Sequence, residues 1–207
     1  LTVASQHTTF ETIRFMRKYA GGLICTTTPY ERARDLGLPY ITDVYRSDPG
    51  NYPLLKAMVP DDLPYDNTRS SFGITINHRK TFTGITDGDR AMTIARYAEV
   101  IFQEKSDEDI ISDLGAEFRS PGHVHLLNAS EGLLSTRKGH TELCTAMMYM
   151  AGVLPSATIC EMMGDDGKAM NRNRTMEFAE EHGIEFVTGD QVLDEWERFL
   201  DGKEANL

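Results

Sequence analysis

Apolar positions recur along the chain at two alternating spacings. Phe10, Ile13, Met16 and Ala20 follow a helical period, with Thr8-x-x-Glu11 as a capping box in front and Gly21-Gly22 behind. The run "GLICTTT" at 22–28 reads as a buried strand. Thr28-Pro29 then opens a short helix that stops at Gly37. "FGITIN" at 72–77 alternates and reads as a strand. Asp87 is placed to cap a helix on which Ala91, Ile94, Ala95, Ala98, Ile101 and Phe102 share one face. "HVHLLNA" at 123–129 and "ATICEMM" at 157–163 are strand-like, and a helix runs between them from Gly139 to Gly152. An Asp165–Gly167 turn, a polar helix ending near Gly183, the run "IEFVT" and a last helix from Asp190 complete the series. Residues 39–70 show no period and read as a long, partly irregular excursion within one domain. The alternation predicts an α/β or α+β domain in which helices cover a sheet.

Composition narrows the function classes. The 207 residues are 40% hydrophobic and 26% charged, enough for one domain with a real core. A net charge of -11 repels phosphodiester backbones, so no nucleic-acid partner is expected. No apolar run reaches the roughly 20 residues of a membrane span. Cys25, Cys144 and Cys160 form neither a CxxC nor an even framework, which predicts a reduced, cytoplasmic protein. The chain opens at Leu1, with no methionine, and a further segment upstream is expected.

Several residues are candidates for chemistry. In "TRKGHTE" at 136–142, Gly139 allows close backbone approach, and a helix starting near His140 offers free N–H groups to an anion. Arg137 adds a planar fork of donors, Lys138 a charge and Thr141 a hydroxyl. A solvated loop before a capped helix would explain the same residues, and both readings stay open on these alone. His140 has no second ligand at the usual zinc spacing, so a metal there would be magnesium-like, completed by substrate and water. His123 follows a Pro-Gly turn at a strand mouth, a good place for acid/base work. His125, two residues on and deeper in the strand, is the structural one of the pair. Glu161 falls inside an apolar strand, where burial would make it a usable general acid or base; a water-facing edge position is the alternative. Cys25 reads on its own as a buried thiol, and Asp87 and Asp89 as caps. Neither a Walker A motif nor GxGxxG is present.

Taken together, "AGGLIC", "SSFGITINHRKTFTGITDGDRAMTI", "FRSPGHVHLL", "TRKGHTE" and "CEMMGDDGKAM" resemble the 3,4-dihydroxy-2-butanone 4-phosphate synthases of riboflavin biosynthesis, in their stand-alone archaeal-type form. The resemblance keeps the family's segment order over most of the chain. It implies a single domain over 1–207 with a mixed sheet and helices on both faces, a three-layer αβα sandwich. It implies a magnesium-dependent carbon–carbon lyase, with manganese as the alternative ion, that converts D-ribulose 5-phosphate to L-3,4-dihydroxybutan-2-one 4-phosphate and formate. It further implies a homodimer with its active sites at the interface. By the same resemblance Arg137, Lys138, Gly139, His140 and Thr141 form the sugar-phosphate site, and His140 is a metal ligand. His123 and Glu161 carry proton transfer, with Glu161 also touching substrate. Cys25 and Thr83 lie beside the substrate, Cys25 among the catalytic groups. The family's first strand and its acidic loop, which supplies a glutamate to the metal, are expected upstream of Leu1. The rival expectation is a non-catalytic sugar-phosphate-binding or dimerisation module lacking that loop. RNA-modification carbamoyl-transfer domains of the same fold would need a basic groove that the charge opposes, and no fused cyclohydrolase domain is visible.

Overall fold

A computed structural model describes residues 1–47, 50–59 and 68–204, without the side chains of 56, 203 and 204. Among the described residues five strands form one mixed sheet: β1 (Thr2–Ala4), β2 (Cys25–Thr28), β3 (Phe72–His78), β4 (Phe118–Asn128) and β5 (Ala157–Ile159). Their order is β1-β5-β2-β4-β3. Strands β2 and β4 run parallel, with Cys25 opposite His125, and the other pairings are antiparallel. The alternation of the central strands sends side chains to two helical layers. On one face Ile76, Val124 and Leu126 meet α1 (Phe10–Tyr19), α5 (Asp87–Ile101) and α6 (Asp107–Glu117) through Ile13, Ile94, Tyr97 and Ile110. On the other, Cys25, Leu127, Ala157 and Ile159 meet Met148 of α7 (His140–Met150). Helix α9 (Gly189–Glu204) closes over α7 through Val192 and Trp196. The three-layer αβα arrangement is therefore the expected one.

Strand β2 is buried along its whole length although it is mostly threonine. Each hydroxyl has a partner, which removes the cost of burying it. Thr27 meets Thr145 of α7 at 2.9 Å, and Thr28 meets the Tyr97 hydroxyl at 2.7 Å. Thr26 joins a buried hydroxyl chain through Ser5 (2.8 Å) and Ser156 (3.1 Å).

The structure corrects several local expectations. The capping box lies one residue later than predicted: Thr9 and Thr12 form it, while the Thr8 hydroxyl is buried against Thr158. Phe10 is largely exposed rather than in the core. Helix α5 is capped by the Thr86 hydroxyl, and Asp87 instead holds Arg17 at 2.9 Å. The excursion carries two short helices, α3 (Ile41–Ser47) and α4 (Pro53–Met58); residues 48–49 and 60–67 lie outside the described part. The last strand ends at Ile159, short of Glu161.

A further correction concerns the Pro-Gly-His segment. It is not the mouth of a strand but a bulge inside one. Ile76 pairs with Val124 and the next residue, Asn77, with Arg119, so residues 120–123 leave the ladder. A Cβ on Gly122 would collide with the Ile76 backbone, so glycine is what lets the bulge fold back on β3.

Candidate functional site

A cleft of about 640 Å³ opens where α7 begins. Arg137, Lys138, Gly139, His140 and Thr141 line one wall. Cys25, Leu127 and Ile159 form the floor, and Glu161 and the stem Ser70–Phe72 complete it. Local sequence explains the wall. Gly139 caps α7 in an extended conformation without a side-chain cap bond, so the first N–H groups of the helix are left for a ligand. The Arg137 guanidinium passes so close over Gly139 that any Cβ there would strike it. His140, Leu143, Ile159 and Glu161 also border a second cleft of about 600 Å³ with apolar walls that include Met147, Phe178 and Val192.

Arg137 is not in an exposed loop. It is buried, and its Nη1 donates to the Glu142 carboxylate at 2.7 Å and to Ser71 Oγ at 3.1 Å, while Nε donates to Thr68 Oγ1 at 3.0 Å. Glu142 is fully buried and also accepts the Ser130 N–H at 3.0 Å. Sequence reading passed over Glu142. Its only signal is a carboxylate on the helix face that Thr141, Thr145 and Ala146 bury.

Glu161 is exposed and lies beyond β5, so the desolvation expected of it inside an apolar strand is absent. Its Oε2 accepts the Leu23 N–H at 2.8 Å, which fixes the carboxylate among the residues that line the cleft with His140. Cys25 is buried, and burial, followed by the Glu161 and Cys160 charges, pushes its thiol up to about 12. It therefore stays protonated near neutral pH, unlike a thiolate nucleophile.

Thr83 and His123 are not among the cleft-lining residues. They share a separate corner held by Asn77, a second residue the sequence did not disclose. Asn77 Oδ1 accepts the His123 N–H at 2.8 Å, and Asn77 Nδ2 lies 3.1 Å from His123 Nδ1 and donates to the Thr83 carbonyl at 3.2 Å. His125 sits on the floor side opposite Cys25, beside the Phe72 ring at 5.7 Å. Burial lowers its pKa and its Nδ1 has no partner among the described residues, which keeps the ring neutral and fits the structural part expected of it.

Among the described residues no three His, Cys, Asp or Glu stand close enough to hold a metal. His140, exposed at the head of α7, offers one imidazole to an ion whose other ligands come from outside this set. Such a donor set fits an oxygen-loving divalent cation and not a structural zinc. No helix of the described residues is long and apolar enough to cross a membrane.

Comparison with known proteins bears on the family and the fold. The model of the 3,4-dihydroxy-2-butanone 4-phosphate synthase family matches residues 1–195. The synthase of Methanothermobacter thermautotrophicus is 43% identical over 200 residues, covering 96% of this chain and 85% of that protein. A crystal structure of the Candida albicans synthase superposes with a TM-score of 0.68 at 28% identity, over 94% of this chain and 82% of the other. Another solved synthase, in complex with two magnesium ions, has a TM-score of 0.68 at 25% identity, over 96% and 84%. With a family match that spans nearly the whole chain and an αβα sandwich whose helix-start cleft carries the expected motif, the chain belongs to the 3,4-dihydroxy-2-butanone 4-phosphate synthase family.

Proposed function

We propose that the protein converts D-ribulose 5-phosphate to L-3,4-dihydroxybutan-2-one 4-phosphate and formate, with the cleft at the start of α7 as the site. The observation that carries this reading is that Arg137, Gly139, His140, Thr141 and Glu161 line one cleft. The uncapped first turn of α7, with Arg137 and Lys138, binds the phosphate and so fixes the reacting carbons. Enolisation of the ketose then needs a base near the sugar carbons, and loss of one carbon as formate needs protons returned. Glu161, aimed by the Leu23 N–H, and His123 are the groups for those transfers. The Cys25 thiol lies against the substrate as a neutral wall. His140 would hold a divalent cation, magnesium or manganese, which when bound supplies positive charge against the oxyanion that enolisation creates.

The reading includes a homodimer. Thr83 and His123 lie off the cleft of their own chain, and in a dimer a second copy brings this corner to the site. Phe82, beside Thr83, is 94% exposed, as a residue awaiting a partner surface would be. The three unpaired thiols fit a reduced, cytoplasmic protein.

The test is formate release from ribulose 5-phosphate with and without magnesium, together with the mass of the protein in solution. Cation-dependent release from a dimer is expected. Sugar-phosphate binding with no release would make the protein a non-catalytic binding module instead.

A further inference from the structure

Glu142 is a carboxylate with no exposure at all, in the first turn of α7, and it is not among the residues lining the cleft. A buried carboxylate is costly unless it is paired and hydrogen-bonded, and an apolar pair of the same volume would hold the fold as well or better. Glu142 is nonetheless fully engaged. One oxygen takes the Ser130 N–H at 3.0 Å, just past the end of β4, and the other takes Arg137 Nη1 at 2.7 Å. Arg137 does line the cleft, as do Ser71 and Thr68, which hold its Nη1 and Nε at 3.1 and 3.0 Å. The guanidinium is thereby fixed in plane and in direction against Gly139. A guanidinium recognises an anion through a rigid planar fork, so its orientation decides how well it does so.

We infer that Glu142 is a positioning residue of the anion subsite: it acts through Arg137, setting the guanidinium plane at the cleft wall and tying the Ser130 loop and the Thr68–Ser71 stem to it. This rests on the reading of the cleft as a sugar-phosphate site. The arrangement is charge-specific. Glutamine at 142 would keep the shape and an acceptor for Ser130 but would loosen its hold on the guanidinium.

The experiment measures affinity for inorganic phosphate by calorimetry and steady-state formate release from ribulose 5-phosphate, on the parent and on Glu142→Gln. Phosphate affinity and KM should weaken by roughly 10–100-fold, the range seen when an orienting partner is lost. Turnover at saturation should change by less than about threefold, because the interaction serves binding rather than the chemical step. On an Arg137→Met background the same substitution should alter phosphate affinity by less than about twofold, since the residue through which it acts is gone. Should the amide variant not fold, Glu142→Asp keeps the charge but shortens the reach, and the same weakening is expected. A folded variant that binds phosphate like the parent would overturn the inference, as would an undiminished loss on the Arg137→Met background. If the parent itself releases no formate, the enzymatic reading fails, while phosphate affinity still decides the part played by Glu142.

Discussion

Asn77 grips His123 at two points, accepting its backbone N–H at 2.8 Å and meeting its ring Nδ1 at 3.1 Å. The first contact sets the amide orientation: the oxygen is committed to the backbone, so Nδ2 donates to Nδ1. The neutral imidazole then carries its proton on Nε2, directed away from Asn77. Replacing Asn77 by leucine frees both the ring and the bulge that carries it. Formate release should fall on the order of 10²-fold, the cost of an ångström-scale misplacement, with phosphate affinity unchanged. Parallel measurement of turnover and phosphate binding checks this; a loss of binding without a loss of turnover would refute it.

Arg137 is buried in an ion pair with Glu142, so its replacement has a structural cost that an exposed loop residue would not have. Arg137→Met leaves a buried carboxylate without its cation and should destabilise the protein by about 3–5 kcal/mol. The pair of changes Arg137→Met and Glu142→Leu should recover most of that stability while phosphate affinity stays at the weakened level of Arg137→Met alone. Chemical denaturation of the three variants gives the comparison.

Glu161→Gln keeps an oxygen for the Leu23 N–H but cannot transfer a proton. Dimerisation and substrate binding should survive, while formate release drops by about 10²–10⁴-fold. Near-normal release would make Glu161 a structural acceptor and move the proton transfer elsewhere.

Cys25 has an ordinary thiol value of 9.0 raised to about 12 by burial. Between these values the unfolded chain releases the proton and the folded one keeps it, so the folded state binds more protons and its stability declines as pH rises above about 9. Replacement by alanine should flatten that part of the stability profile. Alkylation of Cys25 in the native protein should be negligible at pH 8, as peptide mass mapping after iodoacetamide treatment would show.

His140 stands as a single imidazole at the cleft wall, so magnesium should bind weakly alone and more tightly with ribulose 5-phosphate present. His140→Ala should remove that enhancement. Titration calorimetry showing tight binding without substrate, unaltered by the substitution, would contradict it.

Much of this molecule was legible because its signals are local. Glycines marked the ends of α1 and α7, an apolar run read as buried marked β2, and an alternating run marked β3. The five residues from Arg137 to Thr141 are contiguous, so their convergence on one helix start needed no knowledge of the fold. Asn77 and Glu142 were not legible, because each acquires its part from residues brought in by the sheet: Asn77 meets His123 across 46 positions, and Arg137 reaches Ser71 across 66. Glu161 was misread for a related reason. The apolar run around it continues past the three residues of β5, and beyond them the ladder thins to isolated bridges such as Gly21–Met162. Helix α6 had its signal, Ser106 before three acidic residues, and the periodic reading passed over it.

The pairing of the first strand with the last has a consequence for how the protein is made. The Leu1 backbone nitrogen bonds the Cys160 carbonyl across 159 positions, and Thr2 lies opposite Ile159. While the chain is being synthesised, β1 and β2 both lack their shared neighbour until β5 leaves the ribosome. At ordinary elongation rates of about 5–20 residues per second, that interval is on the order of ten seconds. Throughout it, the threonine-lined edge of β2 and the floor of the cleft stand open to other nascent chains. Yield in the cell should therefore respond to translation speed and to holding chaperones more than the stability of the finished fold would imply.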